Sequence, residues 1–460
     1  MKIYFYTLGC KVNHYETEAL KEKLELAGHN TVKVIVDADI AIVNSCTVTG
    51  QANLKCRQIL HKIRKQNKNC ILILTGCFPQ AFEEEVRTFD FCDIICGSAN
   101  KMNISDMLDE YLSDDNIDDK GKRKQIVRIE EHSKTTKIEK MSVSGFEDKT
   151  RANVKIQDGC DQYCSYCIIP YARGHIRSKS LDEIKREITK LSESGHKEVV
   201  LVGINLCCYG KDLEDGKCIR LIDAIEMACS VDGIERVRLG SIEPEMISDE
   251  DIERMSRLSK LCPQFHLSLQ SGCDKTLKEM NRKYTAFEYE TLCVKLRESF
   301  LDCAITTDIM VGFPGESDED FSESLNFVSR MKFAKAHIFP YSKRDGTVAA
   351  KRTDQIEKSL KESRAKAMEA VCSKSSLEFL NSQVGKVYPV LFEREKSPDF
   401  YEGHTPNFII VKIPRNNDKT PQNSLRKKIL YVRIIKAEKN YCIGSFADDL
   451  NQTKTYEKDI

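Results

Sequence analysis

Short apolar runs alternate with amphipathic stretches in the first part of the chain. Residues 3–8, 40–43, 71–74 and 93–95 form continuous apolar runs of strand length, which indicate strands. The mixed polar and apolar stretches between them, such as 16–27 and 51–66, are long enough for crossover helices. This alternation predicts an α/β domain with a parallel sheet over residues 1–112.

A second alternation begins after a strongly polar stretch, 113–150, which we predict to be a linker with one strand at 125–129. Strand candidates follow at 153–157, 198–202, 236–239, 265–269, 304–309 and 336–339. The segments between them have helical periodicity, for example Leu181, Ile184 and Ile188 on one face. Six βα units predict an incomplete barrel over 151–380, in which the chemistry sits at the C-terminal ends of the strands.

The last part of the chain changes to a β-rich pattern. After a charged helix at about 355–380, apolar runs at 384–392, 408–413 and 429–436 indicate strands. They predict a small antiparallel β-barrel over 381–446, followed by a polar tail at 447–460. The whole chain is therefore predicted to be a three-domain α/β protein.

Composition and charge narrow the function classes. No run approaches the roughly 18 apolar residues of a membrane span, and the N-terminus has neither a long apolar region nor a small-residue cleavage site. We therefore expect a cytoplasmic protein without a membrane partner. The formal net charge is +0, but residues 383–446 contain 12 Lys/Arg against 6 Asp/Glu. This local excess predicts a basic module that includes Arg426, Lys427 and Lys428 and could neutralise phosphates of a nucleic acid.

Cysteine carries the strongest chemical signal. Disulfides rarely persist in a reducing cytosol, so the 20 cysteines are expected to be small apolar residues or metal ligands. Cys160, Cys164 and Cys167 follow the first strand of the predicted barrel, and their spacing lets one short loop present three thiolates to an iron-sulfur cluster. A zinc knuckle is the alternative, but a closed zinc site takes four ligands and no fourth Cys or His lies close to the triplet. A cluster with three ligands keeps one iron open, which can chelate S-adenosylmethionine (SAM).

The triplet and its surroundings resemble the radical SAM methylthiotransferase family. Similar segments lie at 157–160, 168–174, 238–244, 266–272, 308–316 and 337–342. The resemblance runs from residue 1 to about 446. It implies that the triplet binds a 4Fe-4S cluster and SAM, and that the last domain is similar to the TRAM RNA-binding module.

The resemblance also implies a second 4Fe-4S cluster, bound by Cys10, Cys46 and Cys77, that carries sulfur to the substrate. The residues agree with this implication. Each of these cysteines follows a predicted strand, and parallel strands end at the same edge of a sheet, where α/β proteins form ligand sites.

The reaction that the resemblance implies is methylthiolation of a tRNA adenosine at C2, with two SAM molecules used per product and an external electron donor. An anticodon loop suits such an enzyme because a single-stranded loop can present an unstacked base to a deep site. Polar residues at later strand ends are candidates for binding SAM: Ser241, Glu243, Gln270 and Ser271.

Three substrates compete within the family: N6-threonylcarbamoyladenosine and N6-isopentenyladenosine at tRNA position 37, and an aspartate of a ribosomal protein. Segments 7–18, 270–285 and 401–407 most resemble the threonylcarbamoyladenosine branch, which is the expected substrate. Arg282 and Lys283 are candidates for pairing with the threonyl carboxylate. The alternative from a different class is a non-catalytic RNA-binding protein whose thiols hold structural zinc or electron-transfer clusters.

Overall fold

The computed structural model describes residues 1–133, 137–146, 149–213, 218–393, 397–415 and 424–447. Of the predicted polar tail, residues 448–460 lie outside the described residues. No helix within the described ranges combines the length and the apolar character needed to cross a membrane.

The first domain contains a six-stranded sheet in the order β2-β1-β3-β4-β5-β6, with all pairings parallel, as predicted. Its strands are β1 (Lys2–Thr7), β2 (Asn30–Val32), β3 (Ile40–Ser45), β4 (Ile71–Gly76), β5 (Ile94–Cys96) and β6 (Ile126–Arg128). Its helices are α1 (Lys11–Leu26), α2 (Gly50–Gln66), α3 (Cys77–Ala81), α4 (Glu83–Val86) and α5 (Ile104–Leu112). Two separate apolar clusters cover the sheet. Burial on both faces explains why its strands are continuous apolar runs.

The second domain is an incomplete parallel barrel, as predicted. Its strands are β7 (Ala152–Lys155), β8 (Gln157–Asp158), β9 (Arg177–Ser178), β10 (Glu198–Val202), β11 (Arg236–Leu239), β12 (Ser241–Ile242), β13 (Gln264–Gln270), β14 (Ala304–Val311) and β15 (Lys335–Pro340). One sheet has the order β11-β10-β7 and the other β12-β13-β14-β15. The two sheets adjoin at Gly240, which separates β11 from β12. Strands β8 and β9 form a short antiparallel pair beside them.

Helices cover the outer face of the barrel. They are α7 (Leu181–Glu193), α8 (Leu221–Ser230), α9 (Asp249–Ser256), α10 (Asp274–Glu279), α11 (Ala286–Ser299) and α12 (Asp318–Met331), whereas the short helix α6 (Ile169–Arg173) packs against α3 of the first domain. Capping boxes start α7 at Ser180, α9 at Ser248, α11 at Thr285 and α12 at Ser317. Each cap satisfies backbone N–H groups of the first turn, so the sequence fixes where the helix begins. The apolar sides of these helices and the outward side chains of the strands form the largest core.

The segment predicted to be a polar linker takes part in both domains. Strand β6 lies within it and completes the edge of the first sheet. Further along, Met141, Val143 and Phe146 are buried in the core of the barrel domain. Three apolar side chains in a polar stretch give no periodic signal, so the sequence pattern does not reveal this packing.

The last domain follows a long helix, α13 (Lys358–Asn381). Its strands close into a barrel in the order β16-β17-β18-β20-β19: β16 (Val387–Phe392), β17 (Phe400–His404), β18 (Ile410–Pro414), β19 (Ile429–Ala437) and β20 (Cys442–Phe446). All pairings are antiparallel except that of β18 with β20. Arg236 and Arg238 of β11 donate to the backbone oxygens of His404 and Pro406 at 3.0 and 2.9 Å. Because Arg236 begins its strand, the small barrel sits at the N-terminal ends of the parallel strands.

Candidate active site

The cysteine triplet lies on a loop at the opposite, C-terminal end of the parallel strands. Gly159 has a φ of +75°, and a Cβ there would lie 1.8 Å from the His175 carbonyl oxygen, so only glycine fits the start of the loop. The Gln157 amide donates to the carbonyls of Asp158 and Gly159 at 2.8 and 2.7 Å. The Cys160 N–H donates to the Gly174 carbonyl at 3.0 Å. The sequence therefore holds this loop in one conformation.

Hydrogen-bond donors face two of the three sulfurs. Nη1 of Arg282 lies 3.3 Å from Sγ of Cys164, and Nδ2 of Asn205 lies 3.8 Å from Sγ of Cys160. Burial raises the pKa of the Cys160 thiol to about 11 and that of Cys167 to about 12. A bound metal centre stabilises the thiolate form and so offsets this cost. Three thiols with amide and guanidinium donors fit an iron-sulfur cluster, whose sulfur ligands accept such hydrogen bonds.

The structure gives no support to a closed zinc knuckle. Among the described residues, no three Cys, His, Asp or Glu side chains converge closely enough to share one metal ion. A four-iron cluster holds its thiolates farther apart than a single zinc ion does, because iron and sulfide atoms separate them. A cluster with an open iron takes three cysteine ligands, whereas a closed zinc site takes four protein ligands.

Cys10, Cys46 and Cys77 share one edge of the first sheet. Cys10 caps α1 after β1, Cys46 follows β3, and Cys77 begins α3 directly after β4. The loops are in close contact, since a Cβ on Gly9 would lie 2.7 Å from Cβ of Cys46. Burial raises the pKa of Cys46 to about 11, and the neighbouring thiols of Cys77 and Cys10 add to the shift. The arrangement predicted from the strand ends is thus the one that the fold produces, and its donor set fits a second cluster.

One buried arginine joins the two cysteine sets. Arg173 of α6 donates from Nε to Sγ of Cys77 at 3.1 Å and from Nη1 and Nη2 to Glu16 and Asn13 of α1. These three residues belong to the first domain, whereas Arg173 follows the triplet in the second and also lies 3.4 Å from Asp158 there. Arg173 is fully buried. The interface between the domains is therefore built around a charge that touches a predicted cluster ligand.

The charges around Arg173 form a compensated network. Glu16 also pairs with Lys101 and with Lys155, the latter at 2.6 Å, and Lys155 bonds Asp158 at 2.5 Å. Burial alone would raise the pKa of Glu16, but Arg173, Lys101 and Lys155 hold it below its ordinary value. Asp158 lies next to the glycine that begins the triplet loop. The network consequently fixes the loop, α1 and Cys77 relative to one another, and the sequence patterns did not single it out.

The four residues predicted to bind SAM differ in their surroundings. Glu243 is close to the triplet, because it pairs with Arg282. Gln270 ends β13 with a φ of +66° and has a buried Oε1 without a hydrogen-bond partner in the described structure. Ser271 is fully buried, and its hydroxyl accepts from the Cys273 N–H. Ser241 is exposed on β12. Glu243 and Gln270 are thus the better placed of the four.

The two residues predicted to pair with the substrate carboxylate lie in different surroundings. Arg282 is buried between Glu243, Cys164 and the Tyr284 hydroxyl, so its donors are already used at the triplet. Lys283 is exposed and donates to Oδ1 of Asn281 at 2.7 Å. Neither geometry supports the predicted pairing.

The three basic residues predicted to bind RNA in the last domain also differ in their contacts. Nη2 of Arg426 approaches the Lys149 carbonyl at 3.5 Å, and Nζ of Lys427 lies 3.4 Å from both the Ser194 carbonyl oxygen and Nε2 of His196. These two side chains contact the parallel barrel. Lys428 is exposed. Of the three, Lys428 is the most exposed, and Arg426 and Lys427 are half-buried.

A cationic cavity lies on the inner face of the parallel barrel, beside α1. It has a volume of about 350 Å³, and its lining includes Lys11, Lys149, Arg151, Arg238 and, from the small barrel, Phe408. The guanidiniums of Arg151 and Arg238 lie 5.0 and 4.6 Å from the centre of the Phe408 ring. Lys11 directly follows Cys10, so the cavity adjoins the edge that carries the first cysteine set. Charge patterning along the sequence does not reveal it, since its residues come from three domains.

Comparisons with known proteins agree with this architecture. The radical SAM superfamily matches residues 154–328, and an uncharacterized protein family, UPF0004, matches residues 2–97. The threonylcarbamoyladenosine tRNA methylthiotransferase MtaB of Bacillus subtilis (strain 168) is 34% identical over 96% of this chain and 95% of its own length. The protein of the same name from Thermotoga maritima is 39% identical over 84% of this chain and 85% of its own.

Two further matches widen the comparison. A tRNA-2-methylthio-N(6)-dimethylallyladenosine synthase of Thermoanaerobacter sp. (strain X514) is 36% identical over 84% of this chain and 81% of its own. The solved structure of the radical S-adenosylmethionine methyltransferase TsrM from Kitasatospora setae, with cobalamin and a 4Fe-4S cluster bound, matches with a TM-score of 0.54. It is 12% identical and covers 98% of this chain and 89% of TsrM, a likeness of fold alone.

Proposed function

The chain belongs to the radical SAM methylthiotransferase family, and from this membership we propose that it converts N6-threonylcarbamoyladenosine at position 37 of tRNA to its 2-methylthio derivative. The observation that carries the proposal is a contact between the segment that follows the triplet and the first cysteine set. Arg173 follows one set in the sequence and contacts Cys77 of the other at 3.1 Å. A reaction that needs both radical formation and sulfur delivery requires the two sites to be close together.

The enzyme uses SAM and 4Fe-4S clusters, as the family does. We propose that Cys160, Cys164 and Cys167 bind the cluster that receives SAM, and that the first cysteine set, Cys10, Cys46 and Cys77, binds the second. When bound, these groups supply a carbon radical and a transferable sulfur, which side chains cannot supply at an aromatic C–H bond. The residues of the chain provide position, charge balance and exclusion of water.

Individual side chains have separate tasks in this proposal. Arg282 and Asn205 donate hydrogen bonds toward the triplet sulfurs and so stabilise their thiolate form. Glu243 pairs with Arg282 and keeps its guanidinium oriented. Gln270 ends β13 at the same end of the barrel, and its Oε1, which has no hydrogen-bond partner among the described residues, is a candidate for a polar group of SAM.

The anticodon loop is the part of the tRNA that we expect to enter the site. A single-stranded loop can release one base from its stack at a cost of a few kcal/mol. The small barrel lies at the N-terminal ends of the parallel strands, at the opposite end from the triplet. Electrons come from an external donor.

Two other substrates or functions remain testable alternatives. The Thermoanaerobacter relative is named for dimethylallyladenosine and is 36% identical, between the 34% and 39% of the two MtaB proteins, so overall identity does not separate the branches. The segments at 7–18, 270–285 and 401–407 favour the threonylcarbamoyl branch. A non-catalytic RNA-binding protein would contain structural zinc or electron-transfer clusters and would not turn over SAM.

The decisive in vivo experiment is mass spectrometry of tRNA nucleosides from a deletion strain. We expect the 2-methylthio form of threonylcarbamoyladenosine to disappear, its unmethylthiolated precursor to accumulate, and a plasmid copy of the gene to reverse both changes. A complementing gene with the triplet replaced by alanine should not restore the product. Loss of 2-methylthio-N6-isopentenyladenosine instead would assign the chain to the other branch. If neither 2-methylthio nucleoside changed, the proposal would be refuted.

A further inference from the structure

The cationic cavity has more positive than negative charge. Four of its lining residues carry cations, Lys11, Lys149, Arg151 and Arg238, against one lining carboxylate, Glu393. Close packing of unpaired cations costs free energy in a partly desolvated space. The cavity therefore favours an anionic ligand.

The carboxylates near the cavity are already engaged. Glu198, which lies behind the lining, accepts from Nε of Arg238 at 2.8 Å and pairs with Arg236 at 3.5 Å. Glu393 pairs with Arg151 at 2.7 Å and with His404 at 3.0 Å. These pairs neutralise the arginines on the floor of the cavity, and no carboxylate other than Glu393 belongs to its described lining.

Two donors have no partner of their own. Arg238 is 1% exposed, yet its Nη2 has no hydrogen-bond partner among the described residues. Over the same part of the chain, the side chain of Lys11 forms neither a hydrogen bond nor an ion pair. Lys11 is accessible within the cavity. A buried guanidinium nitrogen without a partner and a free amine together make a site prepared for an acidic group.

The position of Lys11 identifies the source of that group. Lys11 directly follows Cys10 of the first cysteine set, and the cavity that it lines also contains Asn153, Val200 and Arg238 from three neighbouring strands of the parallel barrel. The cavity therefore borders the edge of the first sheet that carries that set. RNA phosphates lie on the outer backbone, whereas the substituent of a base that enters the site points inward with the base.

We propose that this cavity receives the carboxylate of the N6-threonylcarbamoyl group and that Lys11 is the residue that pairs with it. The inference rests on the proposed function and adds the specificity-determining residue. It also accounts for discrimination against an isopentenyl group, which would leave the cations unmatched. Arg282 and Lys283, which the sequence suggested for this role, are occupied at the triplet and exposed at the surface, respectively.

The test compares RNA binding by the reconstituted full-length enzyme. The probes are anticodon stem-loop RNAs that carry threonylcarbamoyladenosine, its carboxylate methyl ester, or unmodified adenosine, with Kd measured by fluorescence anisotropy at one salt concentration. We expect the wild-type enzyme to prefer the free carboxylate over the ester by roughly 10-fold or more. Lys11→Gln should abolish the preference, and Lys11→Arg should retain most of it.

Two further variants keep the test decisive if Lys11→Gln fails to fold or to bind its clusters. Asn153→Asp adds a carboxylate to the cavity lining and should remove the preference without a change at Lys11. Lys366→Gln removes an exposed cation from α13 and should keep it. A preference that survives in Lys11→Gln or Asn153→Asp, or one lost only in Lys283→Gln, overturns the inference.

The same measurements distinguish this inference from the proposed function. If Lys11→Gln bound all three RNAs more weakly by the same factor, Lys11 would contact a phosphate, and the carboxylate assignment would be contradicted. If the wild-type enzyme converted threonylcarbamoyladenosine but bound the methyl ester as tightly as the free carboxylate, only the inference about the cavity would be refuted. Conversion of only the isopentenyl substrate would refute the proposed function.

Discussion

The guanidinium of Arg173 donates to the sulfur of Cys77 across the interface between the first two domains, at 3.1 Å. The same side chain bonds Glu16 and Asn13, so a single residue that follows the triplet in sequence fixes the edge that carries the other cysteine set. A buried ionic contact therefore helps to set the position of the first cysteine set relative to the second domain.

Replacing Arg173 tests this dependence. Arg173→Ala removes one cation from a buried network and leaves Glu16 and Asp158 undercompensated, a change that typically costs about 3–5 kcal/mol. We expect a lower unfolding temperature and loss of iron bound by the first cysteine set, while a variant with the matched exposed change, Arg257→Ala, behaves as wild type. Thermal unfolding measures the change in stability. Iron analysis of Arg173→Ala in a variant whose triplet cysteines are replaced by alanine measures the iron bound by the first cysteine set. Unchanged iron content in Arg173→Ala would show that the contact with Cys77 is dispensable.

The pH dependence of stability follows from Glu16. Its folded-state pKa lies below the ordinary value of 4.5 because of Arg173, Lys101 and Lys155, so its contribution to stability is complete above about pH 4.5 and is lost as pH falls toward the lowered pKa. Glu16→Gln should lower the unfolding free energy at pH 7 and flatten its decline below pH 4.5. Urea titrations over this pH range, with Glu25→Gln as the exposed control on the same helix, measure it. An equally steep decline in Glu16→Gln would remove Glu16 from the explanation.

Arg282 should tune the cluster of the triplet. Hydrogen bonds to the thiolates of a cluster stabilise its reduced, more negative state and so raise its reduction potential. Arg282→Gln removes the guanidinium beside Cys164, and we expect a more negative midpoint potential and a slower reductive cleavage of SAM. Redox titration followed by electron paramagnetic resonance gives the potential. Lys283→Gln, the neighbouring exposed change, should leave it unaltered, and an unchanged potential in Arg282→Gln would contradict the assigned role.

The RNA-binding surface of the small barrel should exclude the side chains that face the parallel barrel. Lys428 and Arg433 are exposed, so replacing both with glutamine should weaken tRNA binding and reduce the slope of log Kd against log salt by roughly 1–2. Replacing Arg426 and Lys427, which contact the parallel barrel, should lower stability and leave that slope nearly unchanged. Binding assays over a salt series compare the two pairs. The opposite pattern would place the RNA on the other side of the domain.

Much of the fold follows from local signals in the sequence. Continuous apolar runs marked β1, β3, β4 and β5, and Ser or Thr followed by an acidic residue marked several helix starts. The cysteine positions were predictable too, because Cys10, Cys46 and Cys77 each follow a strand and parallel strands end at a common edge.

The remaining features depend on contacts between distant segments. Arg173 and Glu16 are 157 residues apart, and no periodic pattern relates them. Arg282 looked like a free surface cation beside Lys283, but the fold buries it against Cys164. Arg426 and Lys427 gave a basic run in sequence, yet domain packing turns them toward the parallel barrel. Charge counts along the chain do not show which charges face a neighbouring domain.

The division of labour between the cysteine sets is a further prediction. Alanine at Cys160, Cys164 and Cys167 should abolish 5′-deoxyadenosine formation, because SAM then has no open iron to bind. Alanine at the first cysteine set, Cys10, Cys46 and Cys77, should preserve 5′-deoxyadenosine formation and abolish the methylthio product. Both variants are reconstituted anaerobically and assayed by mass spectrometry with reductant, SAM and tRNA. Methylthio product from a folded variant that lacks the first set would mean that those cysteines do not deliver sulfur.

The most direct test of the central claim is a paired substrate assay with the reconstituted wild-type enzyme. One tRNA carries N6-threonylcarbamoyladenosine at position 37 and the other N6-isopentenyladenosine, and nucleoside mass spectrometry follows both with time in the presence of SAM and a reductant. We predict a 2-methylthio product from the threonylcarbamoyl tRNA and none, or at least 10-fold less, from the isopentenyl tRNA. A comparable rate on the isopentenyl tRNA, or no methylthio product from either, would contradict the account.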